Sequence, residues 1–88
     1  MQIAFTDNAW NDYLYWQTTD VDTLKKINDL LREIARDPFK GIGKPEPLRG
    51  NFAGYWSRRI NTEHRLVYMI SGAKPKQILT IIQLRFHY

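Results

Sequence analysis

The hydrophobic positions follow two different periods along this chain. Between about residues 8 and 34 they recur every three or four residues, and from about residue 54 onward they alternate. A period of about 3.6 residues is typical of a helix with one buried face, whereas a period of 2 is typical of a strand. The pattern therefore predicts helices in the first part of the chain and strands in the second.

The first part predicts a short strand followed by a helix. Residues 2–6 alternate and predict the strand. Residues 8–18 predict the helix, which Thr6 or Asp7 can cap. We expect its aromatic and apolar stripe to lie in the core. That stripe consists of Trp10, Tyr13, Leu14 and Trp16.

A second helix follows, with a strongly amphipathic pattern. Asp20 can cap it, its apolar stripe spans residues 21–34, and Pro38 ends it. On the other side Asp22 and Lys26 lie at the spacing of a helical ion pair. This side is predicted to be a solvated face.

The second part predicts three strands, at residues 54–60, 64–70 and 77–86, with turns at residues 61–63 and 71–76. Consecutive strands joined by short turns form an antiparallel meander. Two helices would cover one face of this sheet and leave the other partly open. The chain is thus predicted to be one α+β domain, residues 1–88, with an N-terminal strand and two helices packed on one face of an antiparallel sheet.

Alternation also indicates which side chains share a face of the sheet. The first strand places Tyr55, Ser57 and Arg59 together, and the last strand places Gln83, Arg85 and His87 together. Arg59, Arg65 and His87 can therefore converge on the uncovered face if the strand register permits. Periodicity does not determine that register.

Charge is distributed unevenly along the chain. Residues 1–39 hold four basic and seven acidic residues, a net charge of −3, whereas residues 40–88 hold nine basic and two acidic residues, a net charge of +7. Such asymmetry favours a polyanionic partner for the second half. A solvated basic surface is an equally good explanation from charge alone.

Glu46 lies between Pro45 and Pro47, which fix two φ angles and favour an extended backbone. Cations and aromatic rings surround it in the sequence, a mixture typical of surfaces that bind single-stranded nucleic acid. These residues are Lys44, Arg49, Arg58, Arg59 and Arg65, with Phe52, Tyr55 and Trp56. A rigid exposed loop is the simpler interpretation of Glu46 alone.

Phosphodiester cleavage is one reaction that such a surface could perform. The basic half offers few carboxylates for a metal site, and RNA supplies its own 2′-hydroxyl as nucleophile, so metal-free and cofactor-free cleavage of RNA is favoured. Glu46 would be the base, Arg65 and Arg59 the electrophilic clamp, and His87 the acid, since histidine ordinarily titrates at about pH 6.5.

Each of these assignments has a structural alternative. Arg65 could form an ion pair with Glu63 or Glu46. His64 is expected to be structural, and His87 lies so close to the C-terminus that a frayed end is the ordinary expectation.

Cysteine usage and hydropathy bear on the compartment. The chain contains no cysteine and no apolar run of about 18 residues, so it is expected to be a cytoplasmic protein without a membrane span.

The chain resembles one known family along nearly its whole length, and three stretches are the most specific parts of the resemblance. They are NDYLYWQ at residues 11–17, DPFKGIGKPEPLRGNFAGYWSRRINTEHRLVY at residues 37–68, and the terminal RFHY. With these the chain resembles the YoeB toxins of the RelE-like group of bacterial toxin-antitoxin systems. The resemblance implies a microbial-ribonuclease-like or RelE-like fold. It also implies an endoribonuclease that cuts mRNA in the A site of the 30S subunit of the 70S ribosome, where the toxin contacts the rRNA. The implied product carries a 2′,3′-cyclic phosphate or its opened 3′-phosphate.

The resemblance also implies roles for individual residues. Glu46 of the PEP motif corresponds to the general base, Arg65 of EHRLVY to transition-state stabilisation, and His87 of the terminal HY pair to the general acid. The implied substrate-binding residues are Lys44, Arg49, Arg59 and Tyr88. Arg49 occupies a position where the family often has lysine, and the turn at residues 71–77 looks longer than is usual.

A partner is implied as well, namely a cognate YefM-like antitoxin that neutralises the toxin with an extended acidic or amphipathic segment. Homodimerisation is left open.

Two hypotheses from other classes compete with the nuclease. A non-catalytic RNA- or ribosome-binding module would block translation by occupancy alone. A DNA-binding regulator is less favoured, because no helix carries a clustered basic face.

Overall fold

The computed structural model describes residues 1–87. Tyr88 lies outside them. The helices and strands, in chain order, are β1 (Gln2–Phe5), α1 (Asp7–Thr19), α2 (Val21–Arg36), β2 (Glu46–Pro47), a short 3-10 helix (Gly50–Phe52), β3 (Trp56–Arg59), β4 (Arg65–Ser71) and β5 (Ile78–Gln83).

Side-chain caps determine where both helices begin. The Thr6 hydroxyl accepts the Ala9 N–H at 3.1 Å, so Thr6 caps α1 and β1 ends one residue earlier than predicted. The Asp20 carboxylate accepts the N–H groups of Asp22 and Thr23, as predicted for the cap of α2. The hydrogen bonds from Thr23 favour the ionised form and lower the pKa of Asp20.

The five strands form one sheet in the order β1-β5-β4-β3-β2. β3, β4 and β5 form the predicted antiparallel meander, and β2 adds an antiparallel edge. β1 pairs with β5 in parallel. The two helices lead from β1 to β2 at the opposite edge of the sheet, and β3, β4 and β5 then bring the chain back to β1. The predicted α+β class is confirmed, with a sheet that is mixed rather than wholly antiparallel.

The core lies between the helices and one face of the sheet. Ile27, Leu30 and Ile34 of α2 are fully buried, together with Leu66 and Tyr68 of β4 and Leu79 and Ile81 of β5. α1 contributes less of its aromatic stripe than predicted. Trp16 is buried, but Trp10 and Leu14 are 46% and 41% exposed. Neither helix in the described part of the chain has the length and hydrophobicity that crossing a lipid bilayer would require.

β5 is shorter than predicted because α1 takes over its backbone hydrogen bonds. The Leu84 N–H donates to Asp12 Oδ2 at 3.0 Å, and the Leu84 carbonyl accepts from Trp16 Nε1 at 2.9 Å. Both contacts are buried, so the chain leaves the sheet after Gln83 and follows α1. Residues 84–87 therefore bend back toward β4.

Candidate active site

The strand register aligns polar side chains on the sheet face away from the helices. Glu46 of β2 pairs with Ser57 of β3, and Arg59 of β3 pairs with Arg65 of β4. Directly paired residues of antiparallel strands point to the same face. The register, which periodicity alone leaves open, thus brings the base candidate and both clamp candidates to one side of the sheet.

A cleft of about 140 Å³ opens on this face. Its lining residues are Lys44, Glu46, Ser57, Arg59, Arg65 and His87. All three predicted catalytic residues and two of the predicted substrate-binding residues therefore line a single cleft. Within residues 1–87, the Glu46 carboxylate forms no ion pair with any of the surrounding cations.

The loop that carries Lys44 and Glu46 to the cleft is held by a buried arginine. Arg58 is fully buried, and its guanidinium donates to the carbonyls of Asp37 at 2.7 Å, Lys40 at 3.0 Å and Ile42 at 3.1 Å. The sequence pattern grouped Arg58 with the RNA-binding cations. That grouping is wrong, because the Arg58 guanidinium is buried and its hydrogen bonds hold residues 37–42.

Tyr68 completes this buried network. Its hydroxyl accepts from Arg58 Nε at 3.3 Å and donates to the Pro38 carbonyl at 2.6 Å. Burial disfavours the phenolate and raises the pKa of Tyr68, although Arg58 works in the opposite direction. The protonated phenol is thus the form that the fold requires.

Gly43 and Lys44 bring the loop into the cleft. The Gly43 carbonyl accepts the Arg59 N–H at 2.7 Å, and Gly43 has a φ of 84°. A Cβ at this position would lie 2.9 Å from Leu30 Cδ2, so no larger residue fits without movement. The backbone of Lys44 itself adopts the left-handed conformation, with a φ of 51°.

Arg65 is fixed by backbone carbonyls. Its Nη1 donates to the carbonyl of Asn61 at 2.7 Å and to that of His64 at 3.1 Å. The alternative predicted for Arg65, an ion pair with Glu63 or Glu46, is not formed in the described part of the chain. The guanidinium is therefore held in place at the cleft without its charge being neutralised.

His87 reaches the cleft because the preceding residue is anchored to β4. The Phe86 N–H donates to His64 Nδ1 at 2.7 Å, and the Phe86 carbonyl accepts the Arg65 N–H at 3.0 Å. Phe86 has a φ of 67°, which turns the chain toward the cleft. His64 also packs edge-on against Trp16, so its predicted structural role is confirmed.

Arg85 does not share the cleft with His87. Its guanidinium carbon lies 3.6 Å from the centre of the Tyr15 ring. The prediction that Gln83, Arg85 and His87 share one face is wrong, because the strand alternation stops at Gln83. Arg85 instead packs on α1 through a cation-π contact.

One further predicted substrate-binding residue, Arg49, is not among the described residues that line the cleft. Arg49 is exposed and immediately precedes the 3-10 helix. Tyr88 falls outside the described residues. No group of three or more metal-binding side chains occurs within residues 1–87.

Sequence reasoning missed two residues near the cleft. Ser57 is 3% exposed and lines the cleft between Glu46 and the arginines, and alternation had already placed it on their face. Lys26 is half-buried and lines a neighbouring groove together with Lys44, Arg59 and Arg65. The helical period assigned Lys26 to a solvated face, so no local signal identified it.

Fold and cleft together define a small α+β domain that presents a carboxylate, three cations and an imidazole on its open sheet face. A family model described as YoeB-like toxin of bacterial type II toxin-antitoxin system matches residues 5–88. The chain belongs to this family, which confirms the resemblance read from the sequence.

Similar proteins support this assignment along the whole chain. Toxin YoeB of Synechocystis sp. is 60% identical over 88 residues, covering 100% of this chain and 98% of the relative. The structure of a YoeB/ParE toxin from Agrobacterium tumefaciens has a TM-score of 0.98 at 56% identity and covers 100% of both chains. A YoeB dimer and a heterotetrameric YoeB-YefM complex, both from Staphylococcus aureus, each have a TM-score of 0.88 at 45% identity and cover 100% of this chain and 98% of theirs.

Proposed function

We propose that this toxin is a ribosome-dependent mRNA endoribonuclease that cleaves mRNA in the ribosomal A site and so inhibits translation. One observation carries the proposal. Glu46, Arg59, Arg65 and His87 line the same cleft, although they come from three strands and the C-terminal segment. Convergence of a carboxylate, two guanidinium groups and an imidazole supplies the three functions that cleavage next to a 2′-hydroxyl requires.

The reaction proceeds as an internal transfer followed by hydrolysis. The Glu46 carboxylate removes the proton of the 2′-hydroxyl, whose oxygen bonds to phosphorus while the bond from phosphorus to the 5′-oxygen breaks. His87 donates a proton to that departing 5′-oxygen. Arg59 and Arg65 neutralise the charge that accumulates on the phosphorane oxygens. The products are a 2′,3′-cyclic phosphate, which water opens to a 3′-phosphate, and a new 5′-hydroxyl end.

The size of the cleft supports dependence on the ribosome. At about 140 Å³ it is smaller than the ~300 to 1,000 Å³ of typical ligand pockets, so it has room for one ribose-phosphate link but not for the flanking bases. Aligning the 2′-oxygen in line with the departing oxygen requires the RNA to be held on both sides. We propose that the 30S A site and its rRNA provide this orientation, with the basic half of the toxin facing the rRNA.

The proposed partners follow from the family and from the solved structures of similar toxins. The Staphylococcus aureus YoeB forms a complex with YefM, and we propose a YefM-like antitoxin as the cognate inhibitor of this chain. The Staphylococcus aureus dimer supports homodimerisation of this chain as a further proposal. A substrate on translating ribosomes places the toxin in the cytoplasm.

Primer extension on a message translated in a cell extract tests the proposal. The native toxin should create new 5′ ends within the message, and Glu46→Gln and His87→Gln should each reduce their rate of formation by about 10²-fold or more. Lys25→Gln is the control, because Lys25 is exposed on α2 and lines neither the cleft nor the groove beside it. Cleavage at the native rate by both cleft variants would overturn the mechanism. Inhibited translation without new 5′ ends would instead identify a module that acts by occupancy.

A further inference from the structure

A second groove, of about 500 Å³, adjoins the cleft on the side of α2. Lys44, Arg59 and Arg65 line both cavities. The groove and the cleft are therefore neighbouring parts of one surface, separated by the three cations that they share.

The groove is strongly positive. Lys26 of α2 adds a fourth cation to the three shared ones, and no carboxylate is among the lining residues. Within residues 1–87 the Lys26 ammonium forms no ion pair or hydrogen bond. Lys26 is nevertheless half-buried, whereas Lys25 beside it is exposed. A cation without a partner within the described chain is available to an anion from outside it.

The other walls of the groove suit a nucleotide. Ile60, only 6% exposed, contributes a small apolar area to the lining, and Asn61 and Thr62 add neutral polar groups. About 500 Å³ exceeds the volume of the cleft more than threefold and falls within the range of small-molecule sites. A positively charged groove that follows the backbone is typical of sites for single-stranded nucleic acid.

We propose that this groove binds the nucleotide of single-stranded RNA that flanks the scissile link, with Lys26 contacting its phosphate. The inference rests on the proposed function, because the cleft defines which link is scissile. Arg59 and Arg65 then lie between two consecutive phosphates, so the groove sets the register of the RNA in the cleft. An acidic protein segment is a different occupant with the same charge, and the experiment must separate the two.

Binding of uncleavable RNA tests the groove without requiring catalysis. A tetranucleotide and a dinucleotide, both 2′-O-methylated to block the nucleophile, are titrated into isotope-labelled toxin while the amide resonances of Asn61 and Thr62 are followed. The tetranucleotide should shift these resonances. Lys26→Gln should weaken its binding about fivefold and reduce the slope of log K against log salt concentration by about 0.7. Dinucleotide binding should change less than about twofold.

The matched control is Lys25→Gln, which removes the same charge from the adjacent position of the same helix. It should leave both affinities and the salt slope at their native values. Equal losses in the two variants would mean a general charge effect and would overturn the subsite. The subsite would also be overturned if Lys26→Gln weakened binding of the dinucleotide and the tetranucleotide equally. Failure of the native toxin to bind the tetranucleotide at millimolar concentration would overturn it as well.

A glutamate tetrapeptide distinguishes the two kinds of occupant. If it binds as tightly as the tetranucleotide and with the same dependence on Lys26, the assignment to RNA is wrong. These results are independent of the cleavage assay. Active Glu46→Gln and His87→Gln variants would remove the catalytic proposal and leave RNA binding in the groove measurable. Inactive cleft variants combined with a failed titration would remove the groove alone.

Discussion

Arg58 and Arg59 are neighbours on β3, yet they belong to opposite faces of the sheet. Arg58 is fully buried against the core and donates to three backbone carbonyls and to the Tyr68 hydroxyl. Arg59 is exposed, lines the cleft, and has a side chain without a hydrogen-bond partner within residues 1–87. The same type of side chain thus holds the loop on one face and lines the open cleft on the other.

The difference shows how a small domain can support a charged cleft. Carbonyl groups satisfy the buried guanidinium, so Arg58 fixes the loop of residues 37–42 without needing a carboxylate. Cations left unpaired on the open face repel one another, and that cost is offset only when an anion binds. The buried network therefore stabilises the fold, and the cations of the open face are available to an anion from outside the chain.

The largest effect is expected from exchanging each of these arginines for methionine. Arg58→Met should lower the free energy of unfolding by about 3 to 5 kcal/mol, because three carbonyls and a phenol lose their buried donor. Arg59→Met should change it by less than about 0.5 kcal/mol and reduce mRNA cleavage about 10²-fold. Urea denaturation and primer extension on the same preparations measure both. Equal destabilisation by the two substitutions would contradict the division between the buried network and the cleft.

A smaller loss of stability should follow from adding a methyl group to the loop that Arg58 holds. Gly43→Ala places a Cβ 2.9 Å from Leu30 Cδ2 at a φ of 84°, so we expect a loss of about 2 to 4 kcal/mol. Gly50→Ala is the control, since its φ is 63° but nothing lies within 4 Å of the added Cβ. Backbone strain alone should cost it about 1 kcal/mol. Thermal unfolding of both variants measures the difference, and equal losses would show that the close contacts around Gly43, with Leu30, Arg58 and Arg59, are unimportant.

The contact between His64 and Phe86 should affect both folding and cleavage. His64→Leu removes the acceptor of the Phe86 N–H, and the unsatisfied donor costs about 1 to 2 kcal/mol, enough to reduce cleavage about tenfold by misplacing His87. His64→Asn places an oxygen near the position of Nδ1 and should recover most of the activity. Combining His64→Leu with His87→Gln should cause no further loss beyond His87→Gln alone. Additive losses would show that His64 acts independently of His87.

The smallest effect concerns alkaline pH. Burial raises the pKa of Tyr68 above its ordinary value of 10.0, so the fold favours the protonated phenol. The contribution of Tyr68 to stability is therefore fully present below pH 10.0 and is lost as the pH rises above that value toward the raised pKa. Urea denaturation between about pH 9 and 11 should show a steeper decline for the native toxin than for Tyr68→Phe. Equal declines of the free energy of unfolding in the two proteins would contradict a stabilising role of the protonated Tyr68 phenol.

Local signals in the sequence predicted much of the fold and most of the residues that line the cleft. The helical period and the capping residue Asp20 predicted α2, and the change to a period of 2 predicted the meander. The proline-braced Glu46, the alternation around Arg59 and the family motifs identified the residues that line the cleft. These predictions succeeded because each depends on neighbours within a few residues of the chain.

Three interpretations that depended on distant contacts were wrong. Arg58 looked like another RNA-binding cation, and the carbonyls that enclose it lie about 16 to 21 residues away. The end of β5 is set by Asp12, which lies 72 residues from Leu84 in the chain. Lys26 carried the pattern of a solvated helix face, and only the packing of α2 beside the sheet brings it to the groove.

The sequence by itself determined β1, the two helices, the three-stranded meander, the family and the types of charged group that meet on the open face, since periodicity, capping and motifs are local properties. It did not predict β2 or the 3-10 helix. Only the tertiary structure decided the strand register, the burial of Arg58 rather than Arg59, and the turn at Phe86 that brings His87 to Glu46 and Arg65. The physical reason is that hydrogen bonds between distant residues select one arrangement among several that local preferences allow equally.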